Sequence, residues 1–286
     1  MKTQLCQKLV VLFLISVFVS GCNIGTKKTT DNDVTFDSIS VDKTYHLLEN
    51  PENPNCNLQI NFTYPAKYDN KDILKKIQQQ FVYSYFGDGY ENLSPEEATA
   101  KYTEDYLNNY KDLEDEYKAE VAKADETPVG AWFSYFEMSS DDIAYNKNDI
   151  LSYTVNFENY TGGAHGAHSF TNHVIDMKTG NLIKEDDIFI EGFQEDLAQI
   201  LIDRIAKQNT VENPKELENI GFFSIDEIFP NGNFLIDDNG ITYTFNEYEI
   251  AAYVVGATNV HLPYEEIQYH RLFLYPRCNN YWLPES

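Results

Sequence analysis

The chain has 286 residues, with 46 acidic against 21 basic side chains and a formal charge of −25. That balance excludes nucleic acid as a partner, because such affinity rests on basic groups neutralising phosphates, and it disfavours adsorption to anionic lipid head groups. Hydrophobic residues at 42% and aromatics at 14% are enough for a folded core and exclude a disordered chain. A cationic partner would be steered towards such a surface, although the same charge also keeps a secreted domain soluble.

In chain order, Lys2 and Lys8 form a positive start, Leu9 to Val19 is apolar except for Ser16, and Val19-Ser20-Gly21-Cys22 completes a lipobox. The apolar run is too short to span a bilayer core, so it reads as a cleaved signal, with Cys22 as the lipidated residue. The expected organisation is a signal peptide over 1–21, a lipidated tether over 22–36, an N-terminal domain over 37–145 and a C-terminal domain over 146–286. The product is expected to sit outside the cytoplasm as a membrane-anchored lipoprotein, at the outer membrane facing the periplasm or the surface. Its membrane contact is the lipid on Cys22. Of the four cysteines, Cys6 leaves with the signal and Cys22 is lipidated. Cys56 and Cys278 remain, and in an oxidising compartment they are expected to pair; two free thiols are the alternative.

Strand-like pieces cover Asp37–His46 and Leu58–Tyr64, the second alternating through Leu58, Ile60 and Phe62. Asp69 can cap a helix whose apolar face carries Ile73, Leu74, Ile77, Phe81 and Tyr85. Ser94-Pro95-Glu96-Glu97 is a capping box that opens a second helix. Along it Ala98, Tyr102, Tyr106, Tyr110, Leu113, Tyr117 and Val121 form a stripe, which reads as a core-facing side rather than a sugar platform. Trp132 to Met138 is aromatic and strand-like, and the polar stretch Ser140–Asn148 reads as a domain boundary. Leu151, Tyr153, Val155 and Phe157 alternate with polar residues, and a glycine-rich loop, Tyr160 to Gly166, follows. Phe170–Met177 is a strand, and Phe193, Leu197, Ile200, Leu201 and Ile205 mark a helix. Asp238-Asn239-Gly240 joins the hairpin runs Phe234–Asp237 and Ile241–Phe245. The last elements are Ile250–Val255, a loop at His261–Tyr264, and Leu272–Tyr275. The fold class is α+β, with mostly antiparallel sheets, amphipathic helices packed on one face, and two sequential subdomains.

Three motifs occur in order: Tyr160-Thr161-Gly162-Gly163-Ala164-His165-Gly166, then Val174-Ile175-Asp176-Met177-Lys178-Thr179-Gly180, then Phe245–Tyr253 running on to Gly256 and His261-Leu262-Pro263-Tyr264. Together they resemble the C-terminal domain of RsiV-type lysozyme-sensing anti-sigma factors, which also occurs beside the catalytic domain of PdaC-type peptidoglycan deacetylases. The resemblance covers about Tyr160 to His270, and the preceding half looks like the smaller partner domain. The chain lacks the sigma-binding segment, the transmembrane helix and the separate catalytic domain of those relatives, so anti-sigma activity is not expected. What the resemblance implies about partners is a basic, lysozyme-like protein.

Catalytic motifs are scarce. Thr35-Phe36-Asp37-Ser38 has Ser where a deacetylase motif needs a second Asp, and His168 and His173 are five apart where the metal pair needs four, so deacetylation is not expected. His165, His168 and His173 suggest zinc only at first sight: on a strand, 168 and 173 take opposite faces, and no fourth ligand is spaced for it. No metal or cofactor is expected. Gly162, Gly163 and Gly166 could cradle an anion, but tight-turn geometry is the simpler reading, with His165 bonded to backbone to hold the loop. A carboxylate pair acting on glycan or peptidoglycan stays open as an alternative, as does a structural accessory of an envelope complex. The expected function is non-catalytic binding of a protein or cell-wall ligand. Its contact surface is expected on Tyr160, Gly162, Gly163, His165, Gly166 and His168, and on Pro263 and Tyr264.

Overall fold

The computed structural model describes residues 31–123 and 129–269. Cys22, Cys278 and the Leu272–Tyr275 run lie outside these residues. Strand β1 (Thr35–His46) pairs antiparallel with β2 (Asn55–Lys67). The chain then crosses through α1 (Lys71–Phe86), α2 (Pro95–Lys111) and α3 (Glu114–Lys123) to β3 (Tyr135–Lys147), which lies parallel to β2. Strands β4 (Ile150–Thr161), β5 (Ala167–Asp176) and the short β6 (Asn181–Leu182) continue antiparallel, giving a six-stranded sheet in sequence order. A parallel step at β2–β3 needs a crossover, and the three helices supply it.

Leu58, Ile60 and Phe62 on β2 and Leu151, Tyr153 and Val155 on β4 face α1, burying its Ile77, Phe81 and Val82. The α1 cap is Asn70 rather than Asp69; its side chain accepts from the amides of Asp72 and Ile73. The capping box at Ser94 and Glu97 forms as expected. Tyr102, Tyr106 and Tyr110 pack inward, but the helix breaks at Asp112–Leu113, so Val121 on α3 comes out exposed.

The boundary expected between 145 and 146 falls inside β3, and the polar stretch read as a linker is strand. Asn148 and Asp149, with φ of 55° and 64°, make a two-residue turn that pairs Lys147 with Ile150. The sheet therefore runs across that point, and the change of sheet comes after β6.

The second part comprises α4 (Glu185–Ile188), α5 (Gln194–Gln208), a 3₁₀ turn at Pro214–Ile220, and the sheet β7 (Phe234–Ile236), β8 (Gly240–Phe245), β9 (Thr258–Pro263), followed by α6 (Tyr264–Tyr269). Phe193, Leu197, Ile200, Leu201 and Ile205 are buried against this sheet. His261 to Pro263, expected in a loop, belong to β9, while Ile250–Val255 is not a strand. Gly240 explains the first correction: a Cβ there would sit 2.1 Å from the Leu262 carbonyl oxygen, so only glycine lets β9 come this close.

The small sheet covers one end of the large sheet's other face. Ser152 Oγ donates to the Ile236 carbonyl at 2.7 Å, and Thr154, Asn172, Thr244 and Asn259 form a relay with steps of 2.7, 2.8 and 2.7 Å. The free edge of β5 is closed by side chains: Asn246 Oδ1 accepts from Phe170 N, the Asn233 and Asn246 amides donate to the Phe170 carbonyl, and Asn233 Oδ1 accepts from Asn172 N. These amides replace a neighbouring strand and satisfy edge groups that would otherwise seek one. Among the described residues no helix is long and apolar enough to cross a membrane.

Candidate functional site

The β4–β5 hairpin ends in the glycine-rich loop. Gly162 has φ +84°, and a Cβ on it would lie 2.3 Å from the Trp132 carbonyl oxygen; one on Gly166 would lie 2.8 Å from that of Asn159. Gly163 meets nothing closer than 3.8 Å. Two of the three glycines are therefore demanded by backbone contact, which is the turn geometry rather than an anion cradle. Tyr160 Oη donates to the Gly163 carbonyl at 2.8 Å and its ring stacks on Phe136.

His165 Nδ1 lies 2.9 Å from the Gly166 carbonyl. A carbonyl only accepts, so Nδ1 carries the proton and Nε2 accepts from Tyr248 Oη at 3.3 Å. The imidazole stacks on Tyr253 with centroids 4.5 Å apart, and Tyr248 stacks on Tyr253 at 5.7 Å. The segment that supplies both tyrosines follows β8. It is fixed by Glu249, whose carboxylate accepts from Asn246 N and Asn231 Nδ2, and by Asn246, whose Oδ1 accepts from Phe170 N of β5. Tyr248 adopts φ 66°, a left-handed conformation uncommon for an aromatic residue. The first and third sequence motifs thus meet in one aromatic cluster. It is open to solvent: Tyr248 is 55% exposed and Tyr253 39%, the adjoining Val254 is 89% exposed, and Trp132, whose backbone meets Gly162, is 56% exposed.

Not every expected residue joins it. Tyr264 is only 9% exposed, and its hydroxyl donates to the Asp237 carbonyl at 2.6 Å. It secures the β7–β8 turn and is no surface anchor. Pro263 pairs with Gly240 at the far end of β8 from Tyr248, so that loop and the glycine-rich loop lie at opposite ends of the small sheet. Tyr248 and Tyr253 were missed because their stretch reads as a motif without a spatial neighbour. His168 and His173 take opposite faces of β5: His168 is exposed opposite Glu158, while His173 stacks on Tyr153 with its Nε2 buried and unpartnered. Burial pushes the His173 imidazole down to about 4. No group of three or more metal-binding side chains occurs among the described residues. Asp37 is on β1, with three strands between it and β5, so the deacetylase-like pieces do not converge.

Two acids that sequence reasoning passed over, Glu137 and Asp141, point from β3 into the layer under α1 and α2. Tyr102 Oη donates to Glu137 at 2.6 Å and Thr63 N to Asp141 Oδ1 at 2.6 Å, while Asp141 Oδ2 is buried without a partner. Burial raises both, Asp141 to about 7. They stand four residues apart on one strand, ~13 Å along it, wider than the roughly 5–9.5 Å at which paired carboxylates work a glycosidic bond.

Comparison with known proteins matches residues 186–265 to a family model described as a protein of unknown function (DUF3298), and residues 49–168 to one described as deacetylase PdaC. No curated protein matches the chain. A DUF3298 family protein from Pseudomonas aeruginosa, 12% identical over 86% of this chain and 96% of its own, has a TM-score of 0.54 and shares the fold. The crystal structure of a DUF3298 member from Bacteroides fragilis is 31% identical, covers 88% of this chain and 98% of its own, and superposes with a TM-score of 0.82. With that identity over nearly the whole length, the chain belongs to the DUF3298 family.

Proposed function

We propose that this protein is a non-catalytic cell-envelope lipoprotein, tethered through Cys22, that binds a basic, lysozyme-like protein through the cluster of His165, Tyr248 and Tyr253. The observation that carries the reading is this exposed aromatic surface, assembled from two separate sequence motifs and fixed by hydrogen bonds to the hairpin beneath it. Rigid aromatic anchors in a preformed arrangement suit protein recognition. The charge of −25 adds long-range attraction for a cationic partner. The family match and the lipobox support the envelope setting.

Calorimetry of the detergent-solubilised full chain against several lysozyme types, at two salt concentrations and with an acidic protein as control, tests this. Binding should weaken with salt, and Tyr253→Ala should cost about 2 kcal/mol if it is a central anchor. No heat at protein concentrations well above micromolar would remove lysozyme-like partners. Binding unchanged by Tyr253→Ala would remove the aromatic surface.

A further inference from the structure

The small sheet covers only part of the large sheet's outer face. The rest is an open groove of about 280 Å³, lined by Gln59, Asn61, Met138, Ser140, Asn156, Glu158 and His168 among others. The strand registers arrange these residues in two rows. One runs Asp42, Gln59, Met138, Glu158, His168 across β1 to β5, and the next runs Ser40, Asn61, Ser140, Asn156, Phe170. Five strands at ~4.8 Å spacing make a track of about 19 Å, room for several pyranose rings.

The residue types are not those of an ordinary solvated face. Asn is disfavoured in strands, yet Asn57, Asn61 and Asn156 all lie on this face, while the other face of β2 and β4, which carry them, is apolar. Several of these groups are held in place: Ser40 Oγ donates to Asn61 Oδ1 at 3.0 Å, and Asn156 Nδ2 donates to Asp142 at 3.2 Å. The Gln59 amide, the Glu158 carboxylate and the His168 imidazole make no hydrogen bond among the described residues, though they line the groove. Side-chain amides that both donate and accept match sugar hydroxyls, and exposed Met138 in the groove offers apolar contact to ring C–H groups. No Lys or Arg lines the groove, whereas Glu158 is in it and Asp42 and Asp142 are beside it. Polyanions therefore find no counter-charge, and an ammonium group does.

The geometry points to a saccharide groove on this face that takes a short hexosamine oligosaccharide bearing free amino groups. Its residues are separate from the aromatic surface proposed above, so either assignment can fail alone. The test is calorimetric titration of the full chain, in a non-glycosidic detergent, with a β-1,4-linked glucosamine tetramer and with its N-acetylated counterpart. Saturable binding of the amine form is expected, at least about tenfold tighter than of the acetylated form, and weakened about tenfold by Glu158→Gln and by Gln59→Ala. Tyr253→Ala should leave it unchanged. Glu158→Gln preserves shape at a half-buried position, so it remains informative should Gln59→Ala misfold. No saturable binding of either tetramer at millimolar concentration would overturn the assignment. So would equal or tighter binding of the acetylated form, full affinity in a folded Glu158→Gln protein, or loss of binding in Tyr253→Ala.

Discussion

Asp141 and His173 are titratable groups buried on the helix side of the large sheet, and they oppose each other. For Asp141 burial raises the folded carboxyl to about 7, against the lowering effect of hydrogen bonds from Thr63, with Tyr85, Glu137 and Asp142 around it. The folded state then holds a proton that the unfolded chain releases above its ordinary value near 4. Stability from Asp141 is fully present below about pH 4 and is lost as pH rises to about 7. His173, depressed to about 4, behaves in the opposite sense: the unfolded chain takes a proton below about pH 6.5 that the folded state refuses, so stability falls as pH drops from about 6.5 to 4. Between pH 4 and 6.5 the two slopes offset each other. Asp141→Asn should keep the acceptor for Thr63, raise stability at pH 8 by on the order of 2 kcal/mol, and leave a protein that weakens as pH falls. His173→Gln should show the reverse slope. Urea unfolding at pH 4.5, 6 and 8 measures both; parallel pH profiles for wild type and the two variants would contradict the assignment.

At the scale of elements, the β4–β5 hairpin organises the exposed surface, since its tip meets both Trp132 and the tyrosine segment after β8. Gly162 sets that contact. Gly162→Ala places a Cβ at φ +84° and 2.3 Å from a backbone oxygen, where neither neighbour is a flexible side-chain end. The expected cost is about 2–3 kcal/mol in denaturant unfolding, whereas Gly163→Ala, with nothing closer than 3.8 Å, should stay within about 0.5 kcal/mol. Equal effects at the two positions would mean that the loop does not rest on Trp132. The alternating periods of β2 and β4 and the apolar face of α5 were readable because one side of each is dry. Strand β3 was not. Its Glu137 and Asp141 are polar residues on the buried side, made tolerable by Tyr102 and by the Thr63 amide, and no local pattern reveals such partners.

For the whole molecule, the two sheets share polar contacts, the relay from Thr154 to Asn259 and Tyr145 Oη donating to Asp238 at 2.7 Å, beside an apolar contact of Tyr145, Ile150 and Val174 with the core of the small sheet. The acidic surface and the lipobox at Cys22 belong to this scale too. The proposed tether through Cys22 makes the lipid the means of membrane attachment. Cys22→Ala should therefore give a folded protein in the soluble fraction of lysed cells. Retention in the membrane pellet after a high-salt wash would contradict it.

By itself the sequence determined the α+β class, the capped helices, the hairpin at Asp238–Gly240 and the motifs of the glycine-rich loop, because each rests on periodicity or on backbone chemistry within a few residues. Only the tertiary structure decided what those motifs meet. Chain pairing across 83 residues puts Tyr248 on His165, the β8–β9 register buries Tyr264, and the parallel β2–β3 step lines up the amides of the open face. Such contacts depend on how strands from distant parts of the chain align, and side-chain patterning along one strand specifies which face a residue takes, not which residue it will face.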